Sequence, residues 1–128
     1  MLFRSDRFLA RVRCILLDVD GVLTDGKIVY GADGGEIKAF SVRDGLGIVR
    51  AARAGIVFGI VTGRSSSIVV RRAAELGIGH VWQDVGEDLV EFLGFESALF
   101  VEAGDEDDAG GAEGGRGIEG FFEGLNAS

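Results

Sequence analysis

The sequence holds a single cysteine, Cys14, so no disulfide can form within the chain. Cys14 lies inside an apolar run, where a buried and inert thiol is expected. No apolar run approaches the roughly 18 residues needed to cross a bilayer, which excludes a transmembrane helix. Residues 1–13 are basic but lack a long apolar core and a small-residue cleavage site, so no signal peptide is expected. A cytoplasmic protein fits these absences. Basic residues are also scarce at one end. Residues 84–128 hold 1 Lys+Arg against 13 Asp+Glu, a net of −12, and contain no lysine. Residues 1–83 hold 12 against 8, a net of +4, and the two parts sum to −8. The first part has the balance of a domain that handles an anion. The second is acidic and glycine-rich, closer to a solvated or poorly ordered segment. Nucleic acid is not expected as a partner of so acidic a chain. At 128 residues the chain fits one domain over its whole length. A domain of this size buries roughly two-thirds of its unfolded surface.

Hydrophobic patterning predicts alternating strands and helices. Cys14-Ile15-Leu16-Leu17, ending in acidic and glycine residues, reads as a central parallel strand buried on both faces. Residues 27–40, with Asp33-Gly34-Gly35 at the centre, read as a β-hairpin. Asp44 is expected to cap a helix running to about Ala54. Residues 57–61 read as a second buried strand, followed by a helix capped by Ser65 or Ser66 and stopped by Gly77. His80-Val81-Trp82 reads as a third strand, residues 87–93 as a short helix and residues 98–101 as a fourth strand. Residues 104–117 are low in complexity, and residues 118–125 suggest a terminal helix weakened by Gly120 and Gly124. This alternation predicts an α/β fold with a right-handed, doubly wound parallel sheet.

Ligands of open parallel sheets bind at the carboxyl ends of the strands. Three polar clusters are expected there: Asp18 with Asp20, Thr62-Gly63-Arg64, and Gly104-Asp105. Paired carboxylates bind a hard cation through oxygen, and one of them could attack a phosphoryl group while its partner moves the proton. A bare Asp-x-Asp is equally a solvated turn; the apolar strand before it and Gly21, Leu23, Thr24 and Asp25 after it favour the site. Thr62 and Gly63 offer a hydroxyl and an open amide near a helix N-terminus, and Arg64 adds a fork suited to phosphate, although a plain strand-to-helix turn gives the same text. Arg43-Asp44-Gly45 is explained by capping alone. Arg71 and Arg72 also suit a solvated helix face, and His80 beside Trp82 is expected to be structural. The run Asp105 to Asp108 is open between a surface charge run and metal binding.

Asp18-Val19-Asp20-Gly21-Val22-Leu23-Thr24 resembles the first motif of the haloacid-dehalogenase-like (HAD) phosphatases. The wider text resembles the 3-deoxy-D-manno-octulosonate 8-phosphate (KDO 8-phosphate) phosphatases. It includes Leu16 to Gly26, Gly35-Glu36-Ile37-Lys38-Ala39-Phe40, Val42-Arg43-Asp44-Gly45-Leu46-Gly47-Ile48, Ile60-Val61-Thr62-Gly63-Arg64-Ser65-Ser66, Arg72, Leu76-Gly77-Ile78 and Gln83. The resemblance implies a HAD-like, Rossmann-like three-layer fold with no large cap domain and with the hairpin as a flap. It implies Asp18 as a nucleophile forming an aspartyl-phosphate, and Asp20 as the acid and base. Mg²⁺ would be held by Asp18, the backbone carbonyl of Asp20, and Asp105. Thr62 and Gly63 would bind phosphate; Ser41, Val42, Arg43, Asp44 and Gly45, with Arg64 and Arg72, would hold the sugar phosphate. It also implies a homotetramer, a role in lipopolysaccharide precursor synthesis, and a phospho-enzyme cycle. Two departures stand out. Asp88 falls where the family has a lysine, and loss of one such electrostatic group costs about 10²–10³-fold in rate. The family's next strand and helix after Asp105 have no counterpart, so the C-terminal part reads as truncated. A catalytically impaired relative with a binding or assembly role is the alternative. A phospho-receiver domain shares the strand-end aspartates but explains neither the hairpin nor the text after Asp20.

Overall fold

A computed structural model describes residues 10–86 and 98–102 of the chain. The expected helix at 87–93, Asp88, the segment 104–117 with Asp105, and the terminal helix at 118–125 lie outside the described residues. In chain order the elements are β1 (Val12–Leu17), β2 (Val29–Tyr30), β3 (Glu36–Ile37), α1 (Val42–Arg53), β4 (Val57–Val61), α2 (Ser67–Leu76), β5 (His80–Trp82) and β6 (Ala98–Glu102). A four-stranded sheet has the order β5-β4-β1-β6, and β2 pairs only with β3.

The expected parallel arrangement holds for β1, β4 and β5. Leu17 pairs with Ile60 across β1 and β4, and Val61 with Trp82 across β4 and β5. β6 corrects the fully parallel expectation: it runs antiparallel to β1, with Ala98 beside Leu17 and Glu102 beside Val12. The physical reason is economy of connection. A further parallel strand requires the chain to return to the opposite end of the sheet through a long crossover. β6 starts at the end where β5 finishes, so no return is needed.

Side chains alternate across β1. Cys14 and Leu16 are closed off from solvent on one face. On the other face Ile15 and Leu17 are partly covered and pack against a cluster of Val19, Leu23, Ile48, Phe58, Ile60, Val69, Ala73 and Ile78. Ile48 comes from α1 and Val69 and Ala73 from α2, so both helices cover this same face, as successive right-handed crossovers in one direction require. Among the described residues no helix covers the opposite face. Burial raises the Cys14 thiol to about 11, which agrees with the inert thiol expected. Gly59 permits a close approach on the Leu16 face. A Cβ there would lie 2.6 Å from Leu16 Cδ2 and 2.9 Å from the Trp82 ring.

The helix caps divide between expectation and correction. Ser66 caps α2 through its side chain and Gly77 ends it in the left-handed region at φ 73°, as expected. Ser41, rather than Asp44, caps α1: its hydroxyl oxygen accepts from the Asp44 amide at 3.3 Å. Asp44 sits in the first turn, where its charge favours the positive end of the helix dipole.

Candidate active site

The motif after β1 is held by its own backbone. The Val19 carbonyl accepts from the amides of Val22, Leu23 and Thr24 at 3.2, 2.9 and 3.1 Å. The Thr24 hydroxyl oxygen accepts from the amides of Gly21 and Gly26 at 3.3 and 3.2 Å. Gly21 turns at φ 87° in open space, so its conformation rather than its size demands glycine. Val19 and Leu23 are buried and anchor this turn in the core. The spacing of small, apolar and hydroxyl residues after Asp20 is thus a locked turn that fixes where the two carboxylates emerge.

Asp18 follows Leu17 directly and Thr62 comes two residues after its pairing partner Ile60, both at the carboxyl ends of adjacent parallel strands. Thr62 is buried, and its backbone is fixed by Trp82 and Val85 at 2.9 and 3.2 Å. The Thr62 hydroxyl oxygen accepts from the Arg64 amide at 3.4 Å. Gly63 is exposed. The Ser66 amide donates to Gln83 Oε1 at 2.7 Å, which ties the start of α2 to the end of β5. The helix N-terminus beside Thr62 favours an anion.

Asp18 Oδ1 accepts from the Val19 amide at 2.7 Å. Burial raises its pKa, the Val19 amide lowers it, and the charge of Asp20 raises it; the balance lies above the ordinary carboxylate value. Among the described residues no cationic side chain stands at ion-pair distance from Asp18. Asp20 differs. Lys38 Nζ donates to Asp20 Oδ1 at 2.8 Å and Arg64 lies 3.8 Å from Oδ2. Glu36 Oε1, closed off from solvent, stands 3.0 Å from Lys38 Nζ and 3.1 Å from Arg64, close charge contacts whose angles fall short of hydrogen bonding. Burial lowers the lysine, but the hydrogen bond to Asp20 and the negative charges of Asp20 and Glu36 outweigh it, so Lys38 is held above its ordinary value.

These contacts test a divalent cation against the residues present. The Asp18 carboxylate suits it: partly buried, negative and, among the described residues, without a cationic partner. The Asp20 carboxylate is engaged by Lys38 and Arg64, so Asp20 is better placed to offer its backbone carbonyl. No cluster of three or more His, Cys, Asp and Glu that could hold a metal occurs among the described residues. The donor set fits a cation held from Asp18 with ligands completed elsewhere. The expected convergence of strand ends is corrected here: β6 ends at Glu102 beside Val12, at the opposite end of β1 from Asp18, and Asp105 itself lies outside the described residues.

The expected sugar-phosphate residues form a second group. Ser41 opens α1, Val42 is 82% exposed, and Arg43 and Asp44 are exposed. Gly45 is buried beneath Arg72: a Cβ at Gly45 would lie 2.5 Å from Arg72 Nη2. That guanidinium donates to the Ser41 carbonyl at 3.5 Å and lies over the Phe40 ring at 5.6 Å. Arg72 is therefore joined to residues 41–45, whereas Arg71 is a solvated partner of Glu75. A groove of about 420 Å³ lies between this group and the motif turn, lined by Thr24, Asp25, Phe40, Ser41 and Asp44 among others. Lys38 and Glu36 were not among the expected site residues. Their signal was an inverted alternation: the charged side chains of Glu36 and Lys38 point inward while Ile37 is 53% exposed.

No protein-family model matches the chain. The 3-deoxy-D-manno-octulosonate 8-phosphate phosphatase of Escherichia coli K12 is 48% identical over 81 residues, covering 63% of this chain and 43% of that protein. The chain thus spans less than half the length of this curated relative. The crystal structure of the phosphatase of the same description from Yersinia pestis matches at TM-score 0.63 and 42% identity, covering 67% of this chain and 46% of that one. The Moraxella catarrhalis enzyme, solved with magnesium, phosphate and KDO, matches at TM-score 0.60 and 40% identity, covering 73% of this chain and 59% of that one. No helix among the described residues is long and apolar enough to cross a membrane. The chain has a HAD-like α/β fold and, in sequence and structure alike, resembles the KDO 8-phosphate phosphatases.

Proposed function

We propose that the chain is a Mg²⁺-dependent phosphatase that hydrolyses KDO 8-phosphate, or a closely similar sugar phosphate, through an aspartyl-phosphate at Asp18. The observation that carries this is the locked turn presenting Asp18 and Asp20 beside Thr62 and the start of α2. An oxygen of Asp18 attacks phosphorus and the bond from phosphorus to the sugar oxygen breaks, while Asp20 gives that oxygen a proton. Asp20 then takes a proton from the water that attacks phosphorus, and the bond to Asp18 breaks. Thr62 and Gly63 hold the phosphoryl oxygens. Ser41, Val42, Arg43, Asp44 and Gly45, with Arg64 and Arg72, hold the sugar acid. Asp18 and the backbone carbonyl of Asp20 would hold Mg²⁺, which would supply positive charge against the incoming phosphate.

We also infer a homotetramer, as the resemblance implies; the ribbon leaves Ile28, Val29, Tyr30 and Ile37 44–66% exposed, apolar surface for an assembly to cover. The test is a panel of sugar phosphates incubated with Mg²⁺ and with EDTA, alongside sedimentation of the same sample. Phosphate release that requires the metal, from a particle of four chains, is the expected result. No release from any member with Mg²⁺ present would leave a binding or assembly role, and a monomer mass would remove the tetramer.

Gly45→Ala separates the second group from the first. The helix itself tolerates alanine better than glycine. The new methyl displaces the Arg72 guanidinium, whose charge-assisted contacts are worth about 1.5–3 kcal/mol, so KM should rise about tenfold or more. The melting temperature should hardly move. An unchanged KM would detach Arg72 from the substrate.

A further inference from the structure

The ribbon carries a charge device that the proposed chemistry does not use. Lys38 stands just beyond β3, and its side chain is only 2% exposed. A lysine so enclosed needs paired partners, because an isolated ammonium ion is costly to bury. It has two: Asp20 at 2.8 Å, on the motif turn, and Glu36 at 3.0 Å, on its own ribbon. Arg64, from the turn after β4, bridges the same two carboxylates, 3.8 Å from Asp20 and 3.1 Å from Glu36. Charges of alternating sign thus close a ring that joins ribbon, motif turn and strand end. Its positive members come from the region where the excess of basic residues lies.

We propose that Lys38 is a positioning residue: through a buried ion pair it fixes the direction of the Asp20 carboxylate and docks the ribbon onto the strand ends. This rests on the assignment of Asp20 as acid and base. The geometry supplies the reason. Asp20 follows a turn held by backbone contacts, but its side-chain torsions are otherwise free. A hydrogen bond from an enclosed ammonium restricts them to one direction. Glu36 holds Lys38 from the other side, so the ammonium cannot swing toward solvent without giving up both carboxylates. The ring also places positive charge next to a pair of aspartates that must receive a phosphate dianion. It reaches Asp20 directly and Asp18 only through it.

The test uses the full chain. Lys38→Met is expected to lower kcat about 10–100-fold with KM changed little, as for loss of one preorganised electrostatic group. Lys38→Arg should recover most of that loss, since it keeps the charge and the donors. A role confined to structure would instead lower the melting temperature without separating kcat from KM and without rescue by arginine. Thermal unfolding gives a second reading independent of turnover. Asp20→Asn with Glu36→Gln strips the lysine of its counter-charges and should lower the melting temperature. Adding Lys38→Met to that background should raise it again, although Lys38→Met alone lowers it. Equal lowering in both backgrounds, or an unchanged kcat in Lys38→Met, overturns the proposal. If the unsubstituted chain releases no phosphate, the assignment of its activity fails. The unfolding series then still decides whether the ion pair exists.

Discussion

Asp18→Asn is expected to abolish Mg²⁺-dependent phosphate release, by at least about 10³-fold, and to raise the melting temperature of the metal-free protein. The two effects share a cause. Asp18, the proposed nucleophile, is a partly buried carboxylate whose folded pKa lies above its ordinary value, chiefly because burial disfavours the charged form. A group of this kind binds its proton more tightly in the folded chain than in the unfolded one. Its contribution to stability is therefore present below the ordinary carboxylate range and is lost as pH rises through the folded value. At neutral pH the metal-free fold carries a charge at Asp18 that burial disfavours, and asparagine removes it. Mg²⁺ should raise the melting temperature of the unsubstituted chain and leave Asp18→Asn nearly unmoved. Calorimetry across pH with EDTA, and again with Mg²⁺, reads both. A substituted chain less stable than its parent at neutral pH without metal would contradict the account.

Leu16→Ala is expected to cost about 2–5 kcal/mol in chemical denaturation, the range for a leucine removed from a closed core. Leu16 is 0% exposed on the strand between β4 and β6. It also fills the space left by Gly59, so its removal opens a void that neighbouring strands cannot close by rotating a side chain. Because Leu16 immediately precedes the residue pair that leads into the motif turn, the remaining folded protein should show reduced turnover as well. A cost below about 1 kcal/mol would mean that the sheet collapses readily around the gap.

The sequence made most of the scaffold legible because its signals are local. An apolar run ending in Asp-x-Asp-Gly gives β1 and its exit. The left-handed turn at Gly77 and the Ser66 hydroxyl delimit α2. Residues 41–45 and Arg72 do meet, although only the resemblance, and not the helix periodicity, joined them. Three features escaped for physical reasons. Ser41 and Asp44 are both good caps, and spacing alone does not say which side chain accepts and which backbone donates. The direction of β6 depends on a connection rather than on its own apolar pattern, which reads the same either way. Lys38 and Glu36 look like the solvated edge of a hairpin until the ribbon is folded against Asp20, since sequence cannot tell which face of a two-stranded element is inward.

The inward charge and outward isoleucine of the ribbon have a consequence for how such sites change over time. Successive side chains in a strand face opposite ways, so a shift of one residue exchanges Lys38 for Ile37 opposite Asp20. The turn at Gly31 and Gly35, closed by an amide-to-carbonyl bond of 2.6 Å, sets that registration. The length of this loop, remote in sequence from both aspartates, thus decides which ribbon side chain meets Asp20. Insertions there would change that pairing without touching either aspartate.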